Sequence, residues 1–384
     1  WSSDVCSSDL VSLHVTATAP SYMKPFWRAV RGRQEGFRKQ AGFSTAPYAY
    51  WRAKMARRSR KSRSDAAGQT TAHASPFIKR SIPFFDILDG ERIEALERQI
   101  DWLIEDVGIA FRDDPVALDL WRAEGAKLDG DIIRAPADWI RSLCAKAPSK
   151  FTQIARNPER SVEIGGDNQV FAPIYGAPFV RDLEGGRRYG DIASFNDLVR
   201  LTYMLPSLHH GGFVTCEPCD VPVNKRHLDM LLAHMTLSDK PHLGAITEMS
   251  RAQDSVDMAE IVFGKDVMDQ NCVIMGNVNT NSPLLVDKVV TEAARVYSSR
   301  GQGMVVVPFI LSGAMGPVST AASVAQAMAE AMMVCAYIQL LRPGAPFVLG
   351  NFLSSMSLKS GAPRLMQPRG GTARHDAVAW GYAR

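Results

Sequence analysis

The feature that most constrains this chain is a rhythm in its second half. Six short apolar runs, at 170–174, 212–216, 242–247, 272–278, 304–311 and 347–352, alternate with helical stretches at 194–205, 224–236, 253–263, 288–299 and 318–341. Strands separated by helices of ten or more residues build parallel βαβ units. No GxGxxG follows the first run, which disfavours a dinucleotide-binding sheet and favours a (β/α) barrel. A closed barrel needs eight strands, and the sequence offers about six. The fold class expected is therefore α/β: a TIM-type (β/α) barrel over 151–384 that lacks its last units.

Upstream, residues 81–150 read as a helical N-terminal subdomain. Ile93, Leu96, Ile100, Leu103, Ile104 and Val107 recur at helical spacing, and Gly108 ends that helix. A second helix spans 115–123. A turn at Gly130-Asp131 leads into a short strand at 132–133, and a third helix runs from Pro136 to about Ala145.

Residues 1–80 have no sustained period and read as a disordered basic arm. Between Lys24 and Arg63 stand 13 Lys/Arg and one acid, Glu35. The remaining 31 bases and 39 acids give −8, so the formal charge of +4 hides a basic arm on an acidic body. No aromatic stacking platform accompanies the arm, so a solvated tail is expected and no specific nucleic-acid partner. The first ten residues resemble a linker scar and lack the layout of a secretory signal.

Six cysteines in 384 residues do not make a disulfide framework, which points to a reducing cytoplasm. No eighteen apolar residues run uninterrupted, so no membrane association is expected. The stretch 318–341 carries Gln326, Glu330 and Gln339 and reads as a buried helix.

In a (β/α) barrel, chemistry gathers where strands pass into the following loops. Those ends carry Tyr175 and Phe179, then Glu217 with His209 and His210 before its strand. Asn277, Asn279 and Asn281 follow at the fourth strand, Phe309 and Met315 at the fifth, and Phe352 at the sixth. Alternate residues of an extended chain share a side, so the three asparagines line one wall. Asn and Gly at strand ends are also ordinary turn formers. Cys216 and Cys219, three apart with His209 and His210 nearby, raise a zinc site. A single CxxC is a weak signal, and two ordinary thiols with no metal is the preferred reading. His227 and His234, seven apart, share a helix face and read as structural hydrogen-bonding groups.

These motifs fall in a recognisable order. Ala155-Arg-Asn-Pro158, Ile164-Gly-Gly166, Asp182 with Gly186-Arg-Arg188, Cys216-Glu-Pro218 and Pro222-Val-Asn-Lys-Arg-His-Leu-Asp229 come first. Ser238-Asp-Lys240, Asn279-Thr-Asn-Ser-Pro-Leu284, Pro308-Phe309, Gly313-Ala-Met315, Pro317, Gln339-Leu340, Arg342-Pro-Gly-Ala-Pro346 and Ser360-Gly-Ala-Pro363 follow. The stretch from about 155 to 363 resembles the trimethylamine–corrinoid methyltransferase family. The resemblance implies a TIM barrel that moves a methyl group from a small methylated amine to the cobalt of a separate corrinoid-binding protein. The corrinoid is then supplied in trans and not bound directly. No Asp-x-His-x-x-Gly corrinoid-ligating motif is present, in keeping with that. The trimethylamine branch uses pyrrolysine, whereas every residue here is standard, which points to a quaternary amine such as glycine betaine. After Pro363 the family pattern continues differently, so the chain reads as truncated and its stability as poor.

The chemistry constrains the site independently. A quaternary ammonium has no proton to donate, so recognition falls to aromatic faces and diffuse negative potential. Tyr175, Phe179, Phe309 and Phe352 are the aromatic candidates, Met315 a soft wall, and Glu217 the nearest anion. His210 or the amides of Asn277, Asn279 and Asn281 would hold a substrate carboxylate. Two other readings stay open: a truncated barrel that binds methylated amines without catalysis, and a zinc-dependent methyltransferase using Cys216, Cys219 and a histidine. Assembly into a homo-oligomer is also left open.

Overall fold

A computed structural model describes residues 75–83 and 87–357. The basic arm up to residue 74 and the segment after 357, including Pro363, lie outside the described residues.

The N-terminal part mixes helices with short strands. A two-residue strand β1 (Ile78–Lys79) precedes helix α1 (Gly90–Trp102), whose N-cap Asp89 accepts from the Arg92 N–H. The helix continues as a wider turn, Leu103–Val107, and stops at Gly108. Gly108 has φ +83°, and a Cβ there would stand 2.6 Å from Ile132 and 2.8 Å from the Ile133 carbonyl, so only glycine fits. Strand β2 (Ile109–Phe111), helix α2 (Pro115–Ala123), strands β3 (Lys127–Asp129) and β4 (Ile132–Arg134) and helix α3 (Ala137–Cys144) follow. Strands β2, β4 and β3 pair antiparallel. The expected helical subdomain thus carries a small sheet as well. Periodicity found the helices, but strands of three residues are too short to show alternation. A second antiparallel sheet holds β1, β5 (Lys150–Gln153), β6 (Val162–Gly165) and β7 (Asn168–Gln169).

Strands β8 (Phe179–Asp182) and β9 (Gly186–Tyr189) form a hairpin, followed by helices α4 (Ile192–Met204) and α5 (Val223–Leu237). Strand β10 (His242–Gly244), helices α6 (Met249–Phe263) and α7 (Lys265–Gln270), strands β11 (Ile274–Val278) and β12 (Leu285–Val286) and helix α8 (Lys288–Ser299) come next. Strands β13 (Gly303–Val306) and β14 (Phe309–Ser312), helix α9 (Thr320–Leu341), and strands β15 (Phe347–Leu349) and β16 (Phe352–Ser355) complete the order.

Strands β10, β11, β13 and β15 form one parallel sheet, and β14 pairs parallel with β16. Each of the last two predicted strands is broken once, at 307–308 and 350–351. Their ladder carries across the break, because Gly350 N–H donates to the Val306 carbonyl and Phe352 N–H to the Pro308 carbonyl. Two expected strands, 170–174 and 212–216, do not adopt regular strand geometry. Backbone hydrogen bonds still join this region to its neighbours: Gly176 N–H donates to the Val214 carbonyl and Leu243 N–H to the Gly212 carbonyl. Pro173 in the first stretch and Gly212 (φ +68°) in the second explain the irregularity. Among the described residues the strands do not close into a barrel. The architecture is a mixed α/β fold with parallel sheets.

One face of the sheet is packed on helices. Gly244 and Gly276, paired in register, make room for the Tyr297 ring, whose hydroxyl donates to the Ala245 carbonyl at 2.9 Å. A Cβ on Gly276 would lie 2.8 Å from that ring, so Gly276→Ala is expected to lose about 1–3 kcal/mol in urea unfolding. Helix α9 passes the length and hydropathy test for a membrane span, yet 89% of its apolar window is buried inside the fold.

Helix α2 is tied to the α/β body by one carboxylate. Asp114, 2% exposed, caps α2 by accepting from Val116 and Ala117 N–H, and also accepts from Thr291 Oγ1 and Arg295 on α8. Arg295 in turn donates to the Tyr337 hydroxyl of α9 at 2.9 Å.

Candidate functional site

The opposite face of the parallel sheet is open. Along β13 and β14, Val305, Val307 and Phe309 are half-exposed, whereas Met304, Val306, Pro308 and Ile310 are buried. This alternation separates a helix-covered side from an accessible one. Asn277 is opposite Val305 in register and therefore lies on the accessible side. Phe309 and Phe352 are register partners on β14 and β16, and their rings lie 5.0 Å apart at an interplanar angle of 29°. The structure thus places Asn277, near the end of β11, and Phe309 and Phe352, which open β14 and β16, on the accessible side of the parallel strands.

The amides there have unmet hydrogen-bonding capacity. The Oδ1 atoms of Asn277, Asn281 and Asn351 are buried without a hydrogen-bond partner, as are the hydroxyls of Ser354 and Ser355. Buried polar groups are normally satisfied, so these exceptions are candidate contacts for a ligand or water. Asn279 is exposed and Asn281 half-buried, both in the loop after β11. Met315 is half-buried in the loop before α9, where its carbonyl accepts from Gln326.

Tyr175, Phe179 and Glu217 form a second neighbourhood, two strands away in pairing order. Glu217 N–H donates to the Ala177 carbonyl, and Gly190 N–H at the end of the hairpin donates to the Pro178 carbonyl. Tyr175 exposes 39% of its surface, but its phenol is enclosed by protein. That burial, with the Glu217 carboxylate nearby, raises its pKa above the usual phenol range, so the hydroxyl stays protonated. Glu217 is paired with Arg226 at 3.1 Å, which offsets part of its charge. Phe179 lies 4.6 Å from the Tyr189 ring and carries the Arg187 guanidinium 3.8 Å from its centroid. One ring face is therefore already occupied by a cation.

His210 is placed differently from its expected role. Its Nδ1 accepts from the Gly212 N–H at 2.9 Å, which makes Nε2 the protonated nitrogen, 3.1 Å from Gln153 Oε1. Burial, together with His242 and His234, lowers its pKa to about 3. Both nitrogens serve the fold, and neither is free for a substrate carboxylate. The missed signal is a cluster: His210, His234 and His242 are brought together although they stand on three separate segments. His234 stacks on His242 at 5.4 Å and bonds the Phe213 carbonyl at 2.8 Å. His227 bonds Asp254 at 2.8 Å, so both helix histidines are structural hydrogen-bonding groups.

Cys216 is buried and Cys219 exposed. Burial pushes the Cys216 thiol up to about 12, away from thiolate. Among the described residues, no three His, Cys, Asp or Glu side chains are grouped to hold a metal ion. The zinc reading finds no third ligand there.

A model of the trimethylamine methyltransferase (MTTB) family matches residues 54–380. The match begins within the basic arm and extends past Pro363. Glycine betaine methyltransferase of Desulfitobacterium hafniense (strain Y51) is 33% identical over 288 residues, which are 75% of this chain and 60% of that relative. Proline betaine:corrinoid methyltransferase of Eubacterium limosum is 22% identical over 306 residues, 75% of this chain and 61% of the relative. The chain spans about three fifths of the length of these curated relatives.

Proposed function

Because this chain belongs to the trimethylamine methyltransferase family, we propose that its open strand-end face binds a quaternary methylamine of the betaine type. From there one methyl group passes to a corrinoid held by a separate protein. The fold we propose is the family's (β/α) barrel, of which the described strands form the greater part, and the setting is cytoplasmic. The observation that carries the reading is the grouping of Phe309, Phe352 and Asn277 on one accessible face, beside amide oxygens that lack partners. The names of the two relatives support a betaine over trimethylamine.

The residues suit that substrate. Methyl groups on a quaternary nitrogen carry the positive charge at their hydrogens, which aromatic faces and unpaired amide oxygens attract. Amide N–H groups of the Asn279–Asn281 loop complement a carboxylate at the other end. The acceptor attacks the methyl carbon in line, and the C–N electron pair stays on nitrogen, which leaves as a neutral tertiary amine. No proton moves at the reacting atoms, so the protein's part is to position the donor and exclude water. Glu217, paired with Arg226, and Tyr175, held protonated, supply polarity near the mouth, not acid–base catalysis.

Phe309→Ala is expected to weaken glycine betaine binding by roughly 1–2 kcal/mol, five- to thirtyfold, through loss of a cation–π partner. Isothermal calorimetry measures it, and unchanged affinity would remove Phe309 from the site. The reaction itself is tested by incubating the protein with a reduced corrinoid protein and glycine betaine, then assaying dimethylglycine. Formation of dimethylglycine supports the proposal. Betaine binding without turnover would instead support the non-catalytic reading.

A further inference from the structure

Glu330 stands in the middle of α9 and is fully buried, with no cation among the described residues bonded to it. Its Oε2 accepts from Thr280 Oγ1 at 2.5 Å and Ser282 Oγ at 2.6 Å. Its Oε1 accepts from Leu284 N–H at 2.8 Å and from Gln326 Nε2 at 2.9 Å. Three of the four donors belong to a single five-residue stretch of the loop between β11 and β12. That stretch also contains Asn281 and directly follows Asn279. Burying a carboxyl group is costly unless its oxygens are met by hydrogen bonds. Here those bonds hold one loop from beneath. Asn281 N–H is fixed as well, donating to the Leu285 carbonyl at 2.9 Å, while its Oδ1 remains without a partner.

We propose that Glu330 is a positioning residue: from the core helix it fixes the 279–285 loop so that the Asn279 and Asn281 amides face the carboxylate end of the substrate. This rests on the betaine reading above and adds how the site tells a betaine from a simple quaternary amine. Glu330 touches no substrate. It acts through the loop, so its removal acts on carboxylate recognition and leaves the ammonium end, held by Phe309 and Phe352, in place.

The test compares glycine betaine with tetramethylammonium, which shares the charged head and lacks the carboxylate. In the full chain, Glu330→Leu keeps a side chain of similar size and removes both acceptor oxygens, and with them all four hydrogen bonds. Its affinity for glycine betaine is expected to fall about tenfold or more, with tetramethylammonium affinity changed less than about threefold. Glu330→Gln, which retains an acceptor for the loop, is expected to restore most of the lost affinity. Should Glu330→Leu fail to fold, Thr280→Val combined with Ser282→Ala removes the same bonds from the loop side and carries the same expectation. Betaine affinity unchanged by these variants, or both ligands weakened equally, would overturn the positioning role alone. A wild-type chain that binds neither ligand would overturn the functional reading and this inference with it.

Discussion

Acidification from pH 7 to 5.5 is expected to destabilise the fold by about 2–3 kcal/mol, with about 1 kcal/mol from each of His210 and His234 and a further loss in the same direction from His242. His210 and His234 are enclosed and have pKa values lowered to about 3, and His242 is lowered by the same burial. Each of them also suppresses or feels a neighbouring ring's charge. In the unfolded chain all three titrate near the ordinary imidazole value of about 6.5. Between that value and the folded one, the unfolded state binds more protons than the native state. The stability these rings contribute is therefore fully present above pH 6.5 and is lost as pH falls toward 3. The hydrogen bonds explain the sign, since His210 needs an unprotonated Nδ1 to accept from Gly212. Urea midpoints at pH 7 and 5.5 measure the effect. A midpoint that stays flat across that range would show the rings to be solvated or able to charge in place.

Asp114→Ala is expected to cost about 3–5 kcal/mol, because it removes the buried carboxylate that half-buried Arg295 and Thr291 bond and a helix cap together. Burial opposes ionisation of Asp114, but hydrogen bonds from Thr291 and Arg295, with the Arg295 charge, outweigh it and hold the pKa below the usual carboxylate value. That stability is present above about pH 4 and is lost as acid reaches the lowered value, below the histidine window. The same bonds join α2 to α8 and, through Arg295, to α9. A thermal melt should shift down by roughly 6–20 °C if unfolding is cooperative. A shift under about 2 °C would mean that the N-terminal part and the α/β body are not coupled through this carboxylate.

The βα rhythm was legible because helices of ten or more residues impose their period on the sequence. Helix α8 at Lys288–Ser299 and α2 at Pro115–Ala123 were read with the observed limits. The two irregular segments were not legible as such. Alternation and apolarity mark where a strand belongs, whereas local proline and glycine decide whether it takes regular geometry. In the site, the period-two rule places Asn277, Asn279 and Asn281 on one wall, but only Asn277 lies in the strand, and Asn279 and Asn281 belong to the loop after it. It could not foresee that Arg187 would cover Phe179, or that Gly212 and Gln153 would occupy both nitrogens of His210. Those contacts join residues 8 to 57 positions apart or close a tight local turn, and no periodicity encodes them. Glu330 was noted only as a polar break in an apolar stretch. Its importance appears when the loop 46–50 residues away folds back onto it.

The central claim is that a permanent positive charge is read by aromatic rings and amide oxygens on one open face. The most direct measurement compares glycine betaine with 3,3-dimethylbutanoate, which replaces the charged nitrogen by carbon and keeps shape and carboxylate. Binding of glycine betaine about tenfold to a hundredfold tighter than the isostere with the uncharged head is the expected result. Equal affinity for the two, in the same calorimetric titration, would contradict it.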